Sequence, residues 1–117
     1  MEIRIATVDD AGAIREIYAP YVMNTAISFE YEIPDIEEFQ TRISNTLKEY
    51  PYLVAWKNSE IVGYAYASSF HSRKAYKHSA ELSVYIKQNC RGLGIGGKLY
   101  RELEKILIRQ NVYTVHA

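Results

Sequence analysis

The sequence predicts a single α/β domain, of the α+β kind, over residues 1–117, with elements in the order β-α-α-β-β-β-α-β. Three observations predict it. Short runs alternate like strands, longer runs carry apolar residues at helical spacing, and a glycine-rich turn, CRGLGIGGKLY at 90–100, sits between a strand and a helix.

The elements follow in order. IRIA at 3–6 alternates like a strand, and Thr7 with Asp10 resembles a capping box opening a helix. Ala11, Ile14, Ile17, Tyr18 and Tyr21 form that helix's apolar stripe, and Pro20 is expected to limit its regular part. NTAISFEYEI at 24–33 has no helical period and reads as an ordered loop. Pro34 and Asp35 then open a second helix, with Ile36, Phe39, Ile43 and Leu47 on one face, running to about Tyr50 before Pro51. YLVAW at 52–56 and IVGYAYAS at 61–68 read as an antiparallel hairpin around a short polar link. After the polar and basic segment 70–79, AELSVYI at 80–86 places Ala80, Leu82, Val84 and Ile86 on one face and Glu81, Ser83 and Tyr85 on the other. Ile95, Leu99, Leu103, Ile106 and Leu107 mark a helix to about Gln110, and a last strand starts at Tyr113.

Composition narrows the function classes. The chain is 48% hydrophobic and 24% charged, the balance of an ordinary globular domain. Its 14 Lys and Arg against 14 Asp and Glu leave no basic field for nucleic acid or an anionic membrane. No run approaches the roughly 18–20 apolar residues of a membrane span. The start MEIRIATVDD lacks the pattern of a secretory signal and Cys90 has no cysteine to pair with, so a reducing cytoplasm is expected. His71, His78 and His116 have no ligand spacing, and no metal is expected. The 11 tyrosines suit a partly polar cleft or interface, or strand propensity alone.

The glycine turn satisfies more than one phosphate-binding template. Gly92, Gly94 and Gly97 spell a dinucleotide fingerprint, but VYTVHA supplies no acidic residue where a ribose hydroxyl would need one. Gly92 to Lys98 match a P-loop until Leu99 replaces the magnesium-binding hydroxyl. The third template, Arg91-x-x-Gly94-x-Gly96 directly after SVYI, fits its context. Glycines can turn backbone N–H groups inward at a helix N-terminus and hold a pyrophosphate without metal, with Arg91 and Lys98 at the rim.

On that motif the chain resembles the GCN5-related N-acetyltransferases (GNAT), and within them the phosphinothricin N-acetyltransferase group. IREIYAPYV at 14–22, Ser28-Phe29-Glu30 and RKAYKHSAELSVYI at 73–86 carry the resemblance alongside the glycine turn. It implies a mixed, mostly antiparallel sheet flanked by helices. It also implies transfer of an acetyl group from acetyl-CoA, the donor substrate, to the primary amine of a small amino-acid-like acceptor of the phosphinothricin, methionine sulfone or methionine sulfoximine type.

By the same resemblance, Val84, Tyr85 and Ile86 pair with the pantetheine arm. The pyrophosphate loop is Gly92, Leu93, Gly94, Ile95, Gly96 and Gly97, with Arg91 and Lys98 beside it. Glu81 is the general base, and Phe29, Glu30, Arg73 and Tyr76 surround the acceptor. The family fold continues beyond strand five, so the resemblance implies a C-terminally incomplete domain whose thiolate-protonating residue lies outside it. A homodimer or larger assembly is expected, because the edge left beside strand four invites pairing, either through the family's usual dimer surface or by completing the sheet in trans. The alternative function is a non-catalytic CoA-binding or interaction fragment of such an enzyme.

Overall fold

The computed structural model describes residues 1–24, 33–69, 79–90, 92, 94–109 and 114–116. Strands β1 (Glu2–Ile5), β2 (Tyr52–Lys57), β3 (Glu60–Ser69), β4 (Ser79–Ile86) and β5 (Thr114–His116) form one sheet in sequential order. Helices α1 (Ala11–Asn24) and α2 (Ile36–Leu47) lie between β1 and β2, and α3 (Ile95–Arg109) between β4 and β5. Pairing is antiparallel except between β4 and β5, so the expected order and the mixed, mostly antiparallel sheet are both present.

Strand alternation divides the core into two layers by side-chain size. On one face Leu53, Ala55, Ala65, Ala67 and Leu82 meet Ile95, Leu99, Leu103 and Leu107 of α3. The small residues of β3 let α3 approach closely. A Cβ on Gly63 would lie 2.8 Å from Ile86 Cδ1, 3.2 Å from the Tyr85 carbonyl oxygen and 3.4 Å from Ile95 Cγ2, so a side chain here would displace Ile86 and press on the β4 backbone. The opposite face carries Tyr52, Val54 and Tyr64, packed under Ile14, Ile17 and Tyr18 of α1 and Phe39 and Ile43 of α2.

Four boundary expectations are corrected. α1 runs through Pro20 to Asn24, and a short 3₁₀ turn at Val8–Asp10 precedes it. α2 stops at Leu47, and Lys48 and Glu49 close the turn through Asn45 and Thr46 carbonyls. Ile36 and Leu47, expected on the buried stripe, are exposed, because only Phe39 and Ile43 of that row face the sheet. Asn24, expected in a loop over 24–33, ends α1 instead, and residues 25–32, with 70–78, lie outside the described residues.

Two local devices fix the frame. Asp10 is buried, and its carboxylate accepts from Arg4 Nη2 at 2.8 Å, Arg4 Nη1 at 2.9 Å and Thr7 N–H at 2.8 Å, tying β1 to the start of α1. The β2–β3 hairpin turns on Asn58 and Ser59, both left-handed with φ of 52° and 63°, the two-residue geometry that matches strand twist.

Left-handed conformation is unfavourable for Ser59 and natural for glycine, by about 1 kcal/mol. Ser59→Gly should therefore raise unfolding stability by about that amount in urea titration, and no gain would contradict the turn geometry. Burial raises the Asp10 carboxyl's pKa, but the Arg4 and Thr7 hydrogen bonds outweigh it and leave it below its ordinary 3.8. A depressed carboxylate stabilises the fold above its unfolded value, and that contribution is lost as pH falls through the folded value. Asp10→Asn should lose about 1–2 kcal/mol at neutral pH, a modest figure because Arg4 is partly exposed. The variant's stability should also fall less steeply than the parent's below about pH 4.

Candidate functional site

The site is built around β4, whose two edges are used differently. Along one edge it pairs with β3 from Gly63↔Ile86 to Ser69↔Ala80. Along the other it pairs with β5 only at Ser79, Ala80 and Glu81, and beyond Glu81 no described residue forms a strand beside it. Among the described residues, that edge of β4 is unpaired from Leu82 to Ile86.

The hydrogen-bond pattern identifies which backbone groups face that opening. Lys87 N–H donates to Val62 C=O at 2.8 Å, so by antiparallel alternation Tyr85 also turns its N–H and C=O toward β3. Val84 and Ile86 point the other way. Of the three residues expected to line an added strand, Tyr85 therefore contributes its ring and not its backbone to the site. Ile86 is already engaged: Tyr21 Oη donates to its carbonyl at 2.9 Å and accepts from its N–H at 3.3 Å. Sequence reasoning placed Tyr21 in the core stripe of α1, where its ring does pack edge-on to Tyr85 at 5.2 Å, but missed its hydroxyl.

At the C-terminal end of β4 the chain turns through Gln88–Cys90 into the glycine loop. Gly92 and Gly94 have φ of 83° and 77°, which L side chains rarely adopt, and a Cβ at either would meet nothing within 4 Å. Conformation and not crowding requires glycine there. Gly94 C=O accepts from Lys98 N–H at 3.3 Å, so the first-turn N–H groups of Ile95, Gly96 and Gly97 have no acceptor inside α3. A Cβ on Gly96 would lie 3.7 Å from Val84 Cγ1, which sets the loop directly over β4. Lys98 is exposed, and Arg91 and Leu93 lie outside the described residues. Cys90 packs against the α3 core, 3.4 Å from Asn89 Oδ1.

Glu81 stands near the other end of β4, exposed, opposite Ser68 on β3 and His116 on β5. It shares its face with Ser83 and Tyr85, and β3 contributes Tyr64 and Tyr66 to the same face. Tyr52, Tyr64, Tyr66 and Tyr85 form a stacked row there, with ring centroids 4.9 Å apart for Tyr52 and Tyr66 and 5.1 Å for Tyr64 and Tyr85. The YAYA alternation in β3 was the available sign of this row. Phe29, Glu30, Arg73 and Tyr76 lie outside the described residues. Among the described residues no three His, Cys, Asp or Glu side chains gather as a metal site, and no helix is long and apolar enough to cross a membrane.

Replacing Tyr21 by Phe removes both bonds to Ile86 and leaves the ring contact. Hydrogen exchange at the Ile86 amide should then quicken about tenfold, with the β3-paired Tyr85 amide unchanged. Equal acceleration at both amides would mean that the hydroxyl supports the whole sheet and not this edge.

Residues 3–117 match the acetyltransferase (GNAT) domain family. The phosphinothricin N-acetyltransferase of Alcaligenes faecalis is 40% identical over 98 residues, covering 83% of this chain and 50% of that protein. An L-methionine sulfoximine/L-methionine sulfone acetyltransferase of Salmonella typhimurium is 33% identical over 107 residues, 88% of this chain and 61% of that one. The crystal structure of a phosphinothricin acetyltransferase from Sinorhizobium meliloti in complex with acetyl-CoA superposes with a TM-score of 0.87 at 36% identity, covering 92% of this chain and 60% of that one. The chain thus spans about half to three-fifths of the length of these relatives, and with this fold and glycine loop it belongs to the GNAT acetyltransferase family.

Proposed function

We propose that residues 1–117 act as one acetyltransferase domain that moves the acetyl group of acetyl-CoA to the primary amine of a small amino-acid-like acceptor. The observation that carries the proposal is the alignment, along a single strand, of a glycine loop at one end, a backbone edge unpaired among the described residues in the middle and a carboxylate at the other. The Sinorhizobium relative's complex with acetyl-CoA supports the donor, and the substrates named for the Alcaligenes and Salmonella relatives support the acceptor class.

In this reading the N–H groups at the start of α3 and the Gly92–Gly97 backbone receive the pyrophosphate, with Arg91 and Lys98 adding charge. The Val84 backbone pairs with the pantetheine arm, and the Tyr21 hydroxyl sits where that arm would meet Ile86. The amine attacks the thioester carbonyl carbon, the C–N bond forms, the C–S bond breaks and CoA leaves as thiolate. Glu81 takes the proton from the amine, directly or through water. Phe29, Glu30, Arg73 and Tyr76 frame the acceptor, and Arg73 offers a planar fork to a carboxylate. The compartment proposed is the cytoplasm, in line with the lone thiol of Cys90, and exposed Ile5, Ile36, Trp56 and Ile108 provide apolar surface for a homodimer.

An α-amine near pKa 8 is about one-tenth neutral at pH 7, so its deprotonation costs little over 1 kcal/mol, whereas alignment of amine and thioester is worth up to about 7–11 kcal/mol. Gly94→Asp, which puts a side chain and a negative charge on a left-handed loop position, should abolish acetyl-CoA binding in calorimetric titration. Glu81→Gln should keep that binding and lower kcat/KM by about 10- to 100-fold, with the deficit shrinking as pH rises toward the amine's own pKa. Binding without turnover in the parent chain would favour the CoA-binding fragment over the enzyme. Failure of the parent to bind acetyl-CoA would refute the donor assignment.

A further inference from the structure

A cavity of about 420 Å³ lies between α2 and the tyrosine row of the sheet, with Arg42, Asn45 and Thr46 on its helix side. Two of its tyrosines are anomalous. Tyr52 and Tyr64 are 2% and 1% exposed, yet neither hydroxyl has a hydrogen-bond partner among the described residues. Native proteins seldom leave a buried hydroxyl so, unless water or a ligand completes it. Their neighbour Tyr66 differs in having the Ser83 side chain across the strand pair, which opposes the effect of burial on its pKa.

The chemistry of the lining selects the ligand. Burial raises the pKa of all three tyrosines, so they stay protonated and able to donate. Arg42 can only donate; its guanidinium lies over the Phe39 ring at 5.4 Å and pairs with Glu38 at 3.1 Å. Aromatic walls with several donors suit a short alkyl arm ending in oxygen acceptors. The cavity also lies on the face that carries Glu81. Tyr66 is paired with Ser83, and Glu81 lies two residues from Ser83, about 7 Å along the strand.

We propose that this cavity receives the oxygen-bearing head of the acceptor's side chain, with the Tyr52 and Tyr64 hydroxyls and Arg42 as its donors. The proposal rests on the acetyl-transfer reading and adds the place where acceptor specificity is set. Phosphinothricin, methionine sulfone and methionine sulfoximine all end in a tetrahedral phosphorus or sulfur bearing acceptors. Methionine has the same arm as its sulfone without the oxygens, and so leaves the two hydroxyls unanswered.

Steady-state kinetics with L-methionine sulfone and L-methionine test this on the chain, with calorimetric titration of the sulfone alongside. The parent should favour the sulfone in kcat/KM. Tyr52→Phe and Tyr64→Phe should each reduce that preference about tenfold through KM, with kcat held. Neither variant should melt lower than the parent, since the hydroxyl removed has no protein partner. An unchanged preference in both variants, as for a cavity holding only water, would overturn the proposal and leave acetyl transfer standing. Sulfone binding that weakens in Tyr64→Phe, without transfer by the parent, would keep the cavity and remove the acetyl-transfer reading. Neither binding nor transfer by the parent would overturn both.

Discussion

Strand β4 bears two demands that pull in opposite directions. It must be held firmly enough to fix a loop and a helix at its end, yet among the described residues one of its edges is unpaired beyond Glu81. The fold meets both by full antiparallel pairing with β3 and by packing β4 from above and below. Leu82, Val84 and Ile86 press on α3, while Tyr85 is gripped by Tyr18, Tyr21 and Tyr64. An edge strand secured only by its ladder would fray or recruit another chain. Here the two cores restrain β4 from both faces, and the Tyr21 hydroxyl engages the backbone groups of Ile86.

That restraint depends on the unequal faces of the sheet. Gly63, Ala65 and Ala67 make one face of β3 shallow, so that the Leu and Ile ridge of α3 seats directly on the backbone. Tyr64 and Tyr66 make the other face deep, and α1 and α2 are held off by the thickness of the rings. Close packing on one side positions the glycine loop, since Gly96 starts α3 against Val84. Looser packing on the other side leaves the cavity. One alternating tract, GYAYA at 63–67, thereby influences both ends of the candidate site.

How far this was legible follows from the range of each interaction. Periodicity and turn chemistry act over a few residues, so the element order, the α3 ridge and the need for glycine at Gly92 and Gly94 could be read directly. Pro20 misled because a proline in a late helical turn removes only one bond, and the buried ring of Tyr21 just beyond it rewards continuing the helix. Ile36 and Leu47 misled because helical spacing identifies a stripe without saying how much of it the sheet can cover. The Tyr21–Ile86 bond and the meeting of Arg42 with Tyr52 and Tyr64 join distant segments, and no local pattern encodes them. For the acceptor-side residues Phe29, Glu30, Arg73 and Tyr76 the assignment rests on the resemblance of short tracts.

The glycine loop and the cavity present the same argument in two forms. Gly92 and Gly94 hold left-handed conformations that no packing contact explains, since a Cβ at either would face open space. Glycine at such positions is the most entropically costly residue to order, and ordering it is justified when its backbone N–H groups must point where a side chain would block access. Tyr52 and Tyr64 are the counterpart on the other face, as phenylalanine would fill the same core without burying a hydroxyl. In each case a feature that packing alone does not demand, a left-handed glycine turn or a buried hydroxyl, lies on a surface facing β4. Local choices that run against stability concentrate where a fold does its chemistry. Two such features converge on one strand from opposite faces, the arrangement that the proposed transfer between two substrates calls for.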